Sequence, residues 1–261
     1  MSTKSEAELR RLLDNPSFPR SSRYDPAWVA ENMMGPNVLW LAESLSQVLE
    51  LRPGMRVLDL GCGRALSSIY LAKEFGAQVW AADLWIKPTE NLRRLEKAGV
   101  SDRVFPIFVE AHQLPFAEAF FDAIVGLDSY HYFGTDDCYI GYIVRFLKPD
   151  GRLAIVVPAG VRELSEATEL RKVFSWDFWS FHGPDWWREH WQRTGLVEVE
   201  HADLVPDGWK HWQQSERATG FDEQMPAWAA ALEADEGHTF GFSRVVARKL
   251  AVDHVWRPVW P

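Results

Sequence analysis

Cysteine is scarce in this chain of 261 residues, which contains only Cys62 and Cys138. Two cysteines so far apart provide neither the several disulfides that stabilise small secreted domains nor the thiolate cluster of a structural zinc site. We therefore expect a reducing compartment, no bound metal and a structural role for both side chains.

Long apolar runs are also missing. No stretch reaches the roughly 18 uninterrupted apolar residues that suggest a helix spanning a bilayer. The first residues, MSTKSEAELRRLLDN, lack the apolar centre of a signal peptide. These two absences predict a cytoplasmic protein without a transmembrane segment.

Positive charge is in deficit, because 28 lysines and arginines face 37 aspartates and glutamates, for a net charge of −9. A protein of this charge is not drawn to the phosphates of nucleic acids or to an anionic membrane. The charge therefore argues against nucleic acid as a partner and favours a small-molecule ligand. It gives no indication of the oligomeric state.

Apolar runs and helical patterns alternate through the middle of the chain. The runs predict strands at residues 55–60, 78–83, 104–109, 121–127 and 152–157. Continuously apolar strands separated by helices are typical of a parallel sheet covered on both faces. Two further strands are predicted at 196–203 and 239–250, and one of them is expected to be antiparallel to the rest. Apolar and polar residues alternate in 239–250, which suggests a half-exposed neighbour of strand 196–203. We predict an α/β fold with a doubly wound, mostly parallel, seven-stranded sheet.

Helices are predicted on both sides of this pattern. Residues 1–54 contain helices at 4–14, 27–34 and 37–51, which we expect to cover a ligand site at the first strand. Residues 55–261 form the main domain, with helical insertions at 159–183 and 204–238, the second holding two helices. A further helix is predicted at 136–147, with Thr135 as its N-cap.

The stretch from Met55 to Gly63, MRVLDLGCG, connects the first strand to the next helix through a short glycine loop. Gly61 and Gly63 lack the Cβ atoms that would keep a ligand away from the backbone. The helix behind them leaves unpaired N–H groups facing the same space. This stretch predicts a binding site for a small polar ligand.

Acidic side chains end the strands that surround this loop. They are Asp59, Asp83, Glu110 and Asp128. Ligands of such sheets bind beyond the carboxyl ends of the strands. Asp83 could accept hydrogen bonds from a ribose diol, beside Leu84 or Trp85 facing an adenine ring, and Glu110 could accept from the adenine amine. The alternative interpretation is that these carboxylates are solvated loop residues.

The details of the loop discriminate between adenosine cofactors. A dinucleotide site requires G-x-G-x-x-G, but Leu66 occupies the position of the third glycine. Asp59 would repel a pyrophosphate and would attract a cation. S-adenosylmethionine carries a sulfonium and an ammonium group and no phosphate, so the loop favours it over NAD.

Four stretches together resemble the successive motifs of class I S-adenosylmethionine-dependent methyltransferases, over Met55 to Pro158. They are VLDLGCG, AADLW, EAHQLPFAEAFFDAIVGLDSYHYF and RFLKPDGRLAIVVP. The likeness is strongest to the branch that methylates small molecules such as quinones, sterols and phosphoethanolamine or builds cyclopropane fatty acids. Glu110 departs from this family, which usually has aspartate there.

The resemblance implies a Rossmann-like methyltransferase fold, S-adenosylmethionine as cofactor, S-adenosylhomocysteine as product, and a set of contacts. The methionine end would be surrounded by Asp59, Gly61 and Gly63, and the ribose would be held by Asp83. The adenine would meet Glu110 and Ala111, and Asp128 would lie near the sulfonium. The predicted cofactor-binding set also includes the neighbouring residues Cys62, Leu84, Trp85 and His112.

Catalysis could depend mainly on holding the two reactants in line, which can supply about 7–11 kcal/mol. A base is needed when the acceptor is protonated. His131, just after the fourth strand, and His182 are the candidates, since an imidazole can take a proton near neutral pH. Both histidines could equally be packing residues.

Tryptophan is concentrated in the second half of the chain. Trp187 and Trp191, four residues apart, are most simply the buried stripe of a helix at 184–194. A second interpretation is an aromatic cover over the acceptor, formed by Phe174, Trp176, Trp179, Phe181 and Trp186. A third is a docking patch for a lipid surface or a protein partner.

These observations predict a methyltransferase that acts on a small or lipid-like acceptor under an aromatic-rich cover. The residues do not distinguish O-, N-, S- and C-methylation. The competing interpretations are an NAD-dependent oxidoreductase and a protein that binds S-adenosylmethionine without transferring its methyl group.

Overall fold

A seven-stranded sheet forms the centre of the protein in a computed structural model, which describes residues 4–161 and 176–251. The strands are β1 (Arg56–Leu60), β2 (Gln78–Asp83), β3 (Val104–Phe108), β4 (Phe121–Leu127), β5 (Leu147–Gly160), β6 (Val197–Leu204) and β7 (Phe240–Lys249). The helices are α1 (Glu6–Leu13), α2 (Pro26–Asn32), α3 (Val38–Ser46), α4 (Leu66–Phe75), α5 (Pro88–Ala98), α6 (Tyr139–Ile143), α7 (Pro184–Gln192), α8 (Gly208–Thr219), α9 (Phe221–Gln224) and α10 (Pro226–Asp235).

The strand order is β3-β2-β1-β4-β5-β7-β6. Strands β1 to β5 are mutually parallel, and β7 is antiparallel to both β5 and β6. The predicted seven-stranded, mostly parallel sheet with an antiparallel strand is therefore confirmed. The chain order reverses between β1 and β4, and this switch point is where such sheets bind ligands.

Two local expectations are wrong. Strand β7 is buried along most of its length, not half-exposed, because it lies between β5 and β6 instead of at an edge. The helix predicted at 136–147 begins only at Tyr139 and gives way to a 3-10 turn at Val144–Phe146. Its N-cap is Cys138, not Thr135, and no side chain caps it. The Asp136 side chain accepts from the Cys138 N–H at 2.7 Å in the turn before the helix.

Helices cover both faces of the sheet. Neighbouring residues of β1 point to opposite sides, so Val57 packs in one core cluster and Leu58 in the other. The first cluster includes side chains from α3, α4, α5, α8 and α10, and the second includes α6 and α7. Trp187 and Trp191 are fully buried in the second cluster, which confirms the prediction of a buried stripe on α7.

Buried polar contacts fasten the N-terminal helices to the rest of the molecule. Glu43 on α3 accepts from the backbone N–H groups of Arg20 and Ser21 at 3.0 and 2.7 Å. The Asn37 N–H donates to Ser215 Oγ on α8 at 2.9 Å. The Glu43 contacts hold the segment between α1 and α2 against α3, and the Asn37 contact holds the segment between α2 and α3. The second of these segments lines the cleft at the sheet's switch point.

The insertion at 204–238 contains three helices, α8 to α10, one more than predicted. Within the described ranges, no helix is long and apolar enough to cross a membrane.

Candidate functional site

A cleft opens at the carboxyl ends of β1 to β4 and has an empty volume of about 1070 Å³, including its open mouth. A volume of this size suits a small-molecule cofactor with room for a second ligand. Nine of the predicted cofactor residues line it: Gly61, Cys62, Gly63, Asp83, Leu84, Trp85, Glu110, Ala111 and Asp128. Two do not, namely Asp59 and His112.

The glycine loop lies against the end of β4. Gly61 has a φ of +78°, in the left-handed region, and its N–H donates to Ala82 O at 2.8 Å. A Cβ atom on Gly61 would lie 2.4 Å from Ser129 Cβ. The Ser129 hydroxyl donates to Leu60 O at 2.6 Å, which holds that side chain in place. Only glycine fits this approach without displacing its neighbours.

The loop ends at Ala65, which occupies the left-handed region with a φ of +61° and begins helix α4 without a side-chain cap. A non-glycine residue in this conformation costs about 1–2 kcal/mol. Since no side chain caps α4, its first N–H groups have no side-chain acceptor beside the glycine loop. Cys62 is buried beside it, and burial raises the pKa of its thiol, as befits a structural side chain.

Asp59 lies beneath the cleft, fully buried on β1. Its Oδ2 accepts from the hydroxyls of Ser67 and Ser68, each at 2.6 Å. Its Oδ1 has no hydrogen-bond partner among the described residues. Burial raises the pKa of Asp59 to about 6, against the opposing effect of the two serines. Asp59 is therefore a buried neighbour of the glycine loop and not a lining residue.

This raised pKa has a measurable consequence for stability. The folded state favours the protonated carboxyl, so stability from Asp59 is fully present below the unfolded pKa near 4 and is lost as the pH rises through about 6. The Asp59→Asn variant has no charge to bury. Relative to the wild type, we expect it to gain about 3 kcal/mol of unfolding free energy between pH 4 and pH 7.5. Urea titrations at several pH values measure this difference, and a difference that is flat with pH would contradict it.

Asp83 at the end of β2 connects the glycine loop to the turn that follows its own strand. Its Oδ2 accepts from the Gly63 N–H at 2.8 Å, and its Oδ1 accepts from the N–H groups of Trp85 and Ile86 at 2.7 and 2.9 Å. A carboxylate offers about four acceptor positions. Oδ2 therefore retains capacity for a ligand hydroxyl, whereas Oδ1 is fully used by the protein.

Glu110 at the end of β3 is bound to its neighbour His112. Its Oε2 accepts from the His112 N–H and its Oε1 contacts His112 Nδ1, both at 2.7 Å. The His112 ring packs against Tyr139, whose hydroxyl donates to Ala111 O at 3.0 Å. His112 thus orients Glu110 from behind and is not itself in the lining.

Asp128 follows β4 with a φ of +54°, a conformation that aspartate tolerates better than most residues. Its carboxylate faces the segment before α3, because a Cβ on Gly35 would lie 2.8 Å from Asp128 Oδ2. The glycine between α2 and α3 therefore allows this segment to approach the end of β4.

Sequence reasoning missed several residues of the lining. The most prominent are Met34, Gly35, Pro36, Arg64, Ser129, Tyr132 and Phe133. Ser129, Tyr132 and Phe133 stand next to residues that were singled out at the end of β4, so their position was an available signal. Met34 to Pro36 carried no such signal, since their place depends on how α2 and α3 pack.

The two candidate histidines have different surroundings. His131 is buried between Tyr132 and Phe181, with ring centroids 4.0 and 5.4 Å away, and its chain neighbour Tyr132 lines the cleft. Its Nδ1 has no hydrogen-bond partner in the described ranges, and burial lowers its pKa to about 3. His182 stacks on Trp186 at 3.7 Å, outside the lining, and burial lowers its pKa to about 4.

The proposed aromatic cover is not in the cleft lining, as far as it is described. Trp179 is 56% exposed, Phe181 is buried against His131, and Trp186 stacks between His182 and His190. Phe174 and the side chain of Trp176 lie outside the described residues.

The charges that line the cleft fit S-adenosylmethionine better than a dinucleotide. Asp83, Glu110 and Asp128 face it, and among the lining residues the single cationic side chain is Arg64. Three carboxylates repel a pyrophosphate and suit hydroxyl groups and cations. Gly61 and Gly63 line the cleft with backbone atoms only. The residues present therefore fit this cofactor.

The fold and this cleft define a class I methyltransferase, and comparison with known proteins agrees. The family described as methyltransferase domain matches residues 57–151. The 27-O-demethylrifamycin SV methyltransferase of Amycolatopsis mediterranei is 30% identical over 211 residues, covering 78% of this chain and 77% of that protein. The chain belongs to the class I S-adenosylmethionine-dependent methyltransferases that act on small molecules.

Other relatives match over shorter spans. Methyltransferase GfsG of Streptomyces halstedii is 33% identical over 139 residues, or 53% of this chain and 48% of that protein. Among solved structures, phosphoethanolamine N-methyltransferase 2 of Haemonchus contortus in complex with S-adenosyl-L-methionine superposes with a TM-score of 0.67 at 20% identity. It covers 92% of this chain and 60% of that chain, and at this identity the match shows the fold.

Proposed function

We propose that this enzyme transfers the methyl group of S-adenosylmethionine to a hydroxyl oxygen of a small, largely apolar acceptor. The observation that carries the proposal is the acidic cleft at the sheet's switch point, with its backbone-lined glycine loop. The choice of oxygen is supported by the relative of 30% identity, whose name specifies an O-methyl group on rifamycin.

Bound in the cleft, S-adenosylmethionine would supply an electrophilic methyl group. We assign its methionine portion to Gly61, Cys62 and Gly63, above buried Asp59. The ribose would meet Asp83 Oδ2, the adenine would lie between Leu84, Trp85 and the Glu110–Ala111 segment, and Asp128 would face the sulfonium. Each assignment agrees with the position of the residue in or beneath the lining.

The acceptor would enter between the end of β4 and the segment that precedes α3. Met34, Gly35, Tyr132 and Phe133 line this part of the cleft, and Met34 and Tyr132 are about half exposed. Large apolar side chains around an open mouth suit an apolar acceptor. We therefore place the cover of the site in the N-terminal segment.

His131 is the better of the two candidates for receiving the hydroxyl proton. Its Nδ1 has no protein partner among the described residues. Burial keeps the imidazole neutral and disfavours the imidazolium, so proton transfer requires that the ring first be opened to the cleft. His182 is engaged with Trp186 instead. We propose that rearrangement on acceptor binding brings the hydroxyl to the His131 ring.

Replacing His131 by glutamine is expected to lower kcat about 100-fold, the range typical of a lost general base. The affinity for S-adenosylhomocysteine should stay within about twofold, because the ring lies outside the cofactor lining. His182→Gln is the matched control and should leave kcat unchanged. A loss of kcat in the control alone, or a loss of cofactor affinity in His131→Gln, would contradict the assignment.

The direct test is incubation with isotopically labelled S-adenosylmethionine and a set of apolar alcohols and phenols, followed by mass spectrometry of the products. Label in an O-methyl ether supports the proposal. Label on nitrogen, sulfur or carbon would reject the choice of oxygen while retaining methyl transfer. Cofactor binding without any labelled product from these acceptors or from fractionated cell extract would favour a binding protein. Binding of NAD in place of S-adenosylmethionine would favour an oxidoreductase.

A further inference from the structure

Two arginines stand close together at the end of the cleft beside the glycine loop. Arg64 follows Gly63 directly and lines the cleft. Arg94, on α5, lies behind it, and its pKa is lowered by burial and by the neighbouring charge of Arg64. The charges of Glu90 and Glu31 oppose the effect of Arg64 on that pKa. A pair of neighbouring guanidinium groups attracts an anion.

The hydrogen bonds that both arginines form with the described residues go to neutral acceptors. Arg64 Nη1 donates to the Glu31 carbonyl oxygen at 2.7 Å. Arg94 donates to the side-chain oxygens of Asn32 and Asn91 at 2.9 and 3.0 Å. Within the part of the chain that is described, no carboxylate forms an ion pair with either guanidinium. The pair therefore retains its attraction for an anion.

The same contacts fix the pair relative to the glycine loop. Asn91, which accepts from Arg94, donates through Nδ2 to Gly63 O at 2.9 Å. The Arg64 contact with Glu31 O holds that side chain to the end of α2. Nε and Nη2 of Arg64 keep their hydrogens for another acceptor, since the described residues provide it with a single hydrogen bond.

We propose that Arg64, with Arg94 as its positioning residue, binds the carboxylate of the methionine portion of S-adenosylmethionine. This assignment rests on the cofactor lying in the cleft with its methionine end at the glycine loop. The other charges of the lining are carboxylates, which repel that group, so Arg64 is the one side chain there able to neutralise it. A guanidinium presents parallel N–H groups that match a carboxylate.

Isothermal titration calorimetry with two ligands that differ only in the carboxylate separates this role from a structural one. S-adenosylhomocysteine carries the carboxylate, and decarboxylated S-adenosylhomocysteine lacks only that group. We expect the wild type to prefer the first ligand by about 10–100-fold, the range for a charge-assisted hydrogen-bonded pair. Arg64→Gln should reduce this preference to about twofold or less by weakening only the carboxylate ligand, and Arg64→Lys should be intermediate.

Arg93→Gln is the matched control, because Arg93 is an exposed arginine next to Arg94 on α5. It should leave the preference unchanged. If Arg64→Gln weakens both ligands equally, or leaves the preference for the carboxylate intact, the proposal is wrong. If the wild type binds neither ligand, the placement of the cofactor fails instead. Thermal melting of each variant shows that a lost preference does not come from unfolding.

Discussion

The Gly61→Ala variant is expected to lose measurable binding of S-adenosylhomocysteine and roughly 3–4 kcal/mol of unfolding free energy. An alanine would be held at a φ of +78°, and its Cβ would lie 2.4 Å from Ser129 Cβ and 2.7 Å from Ser129 Oγ. Ser129 cannot turn away cheaply, because its hydroxyl donates to Leu60 O. The loop must then move, and it carries the backbone that the cofactor approaches. Calorimetry and urea denaturation measure the two losses.

Gly99→Ala provides the matched control for backbone strain. Gly99 ends α5 with a φ of +71°, and no atom lies within 4 Å of the position that a Cβ would take. This variant should cost about 1 kcal/mol and should leave cofactor binding unchanged. If Gly61→Ala destabilised the protein no more than Gly99→Ala does, close packing at Ser129 would not be the reason for glycine at position 61.

Arg244→Leu is expected to destabilise the protein by roughly 3–4 kcal/mol. Arg244 on β7 is 6% exposed. It donates to both carboxylate oxygens of Asp203, at 3.0 and 2.6 Å, and to Ser44 O on α3 at 2.8 Å. Leucine would leave the Ser44 carbonyl and one side of Asp203 without their partner. The midpoint of urea unfolding should fall accordingly, and α3, which follows the cleft-lining segment, should lose its fastening to the sheet.

Arg248→Leu tests whether burial is the cause. Arg248 lies four residues further along the same strand and pairs with Asp150, Glu198 and Glu200. These pairs are at the surface, where water screens them and little stability depends on each. The unfolding midpoint of this variant should move far less than that of Arg244→Leu. Equal shifts of the unfolding midpoint would mean that the buried contacts of Arg244 contribute no more stability than the surface ion pairs of Arg248.

Most of the cofactor half of the site could be predicted from local pattern. The apolar run of β1, the two glycines and the carboxylates after β1 to β4 all follow from strand periodicity, and parallel strands bring their carboxyl ends to one edge. Nine of the eleven predicted cofactor residues line the cleft for that reason. Asp59 and His112 stay outside it because side chains alternate between the faces of a strand and because a turn can point its residues inward.

Local pattern failed where an element depends on distant partners. The alternation in residues 239–250 suggests a half-exposed strand, yet β7 is buried because β6 pairs with its outer side. The helix predicted at 136–147 is shorter, because it begins at Tyr139 and gives way to a 3-10 turn at Val144. His131 carries a chemical signal in the sequence, but its burial beside Phe181 follows from a segment fifty residues further along the chain.

The pattern of the amino acids predicts the sheet, the class of cofactor and the residues that line the cleft at the strand ends, because these depend on near neighbours in the chain. The surroundings of these residues follow from tertiary packing alone. Gly35 reaches Asp128, and Arg64 and Arg94 meet beside Gly63, because helices far apart in sequence pack over one edge of the sheet. Side-chain pairings of that kind have no period that a sequence can display.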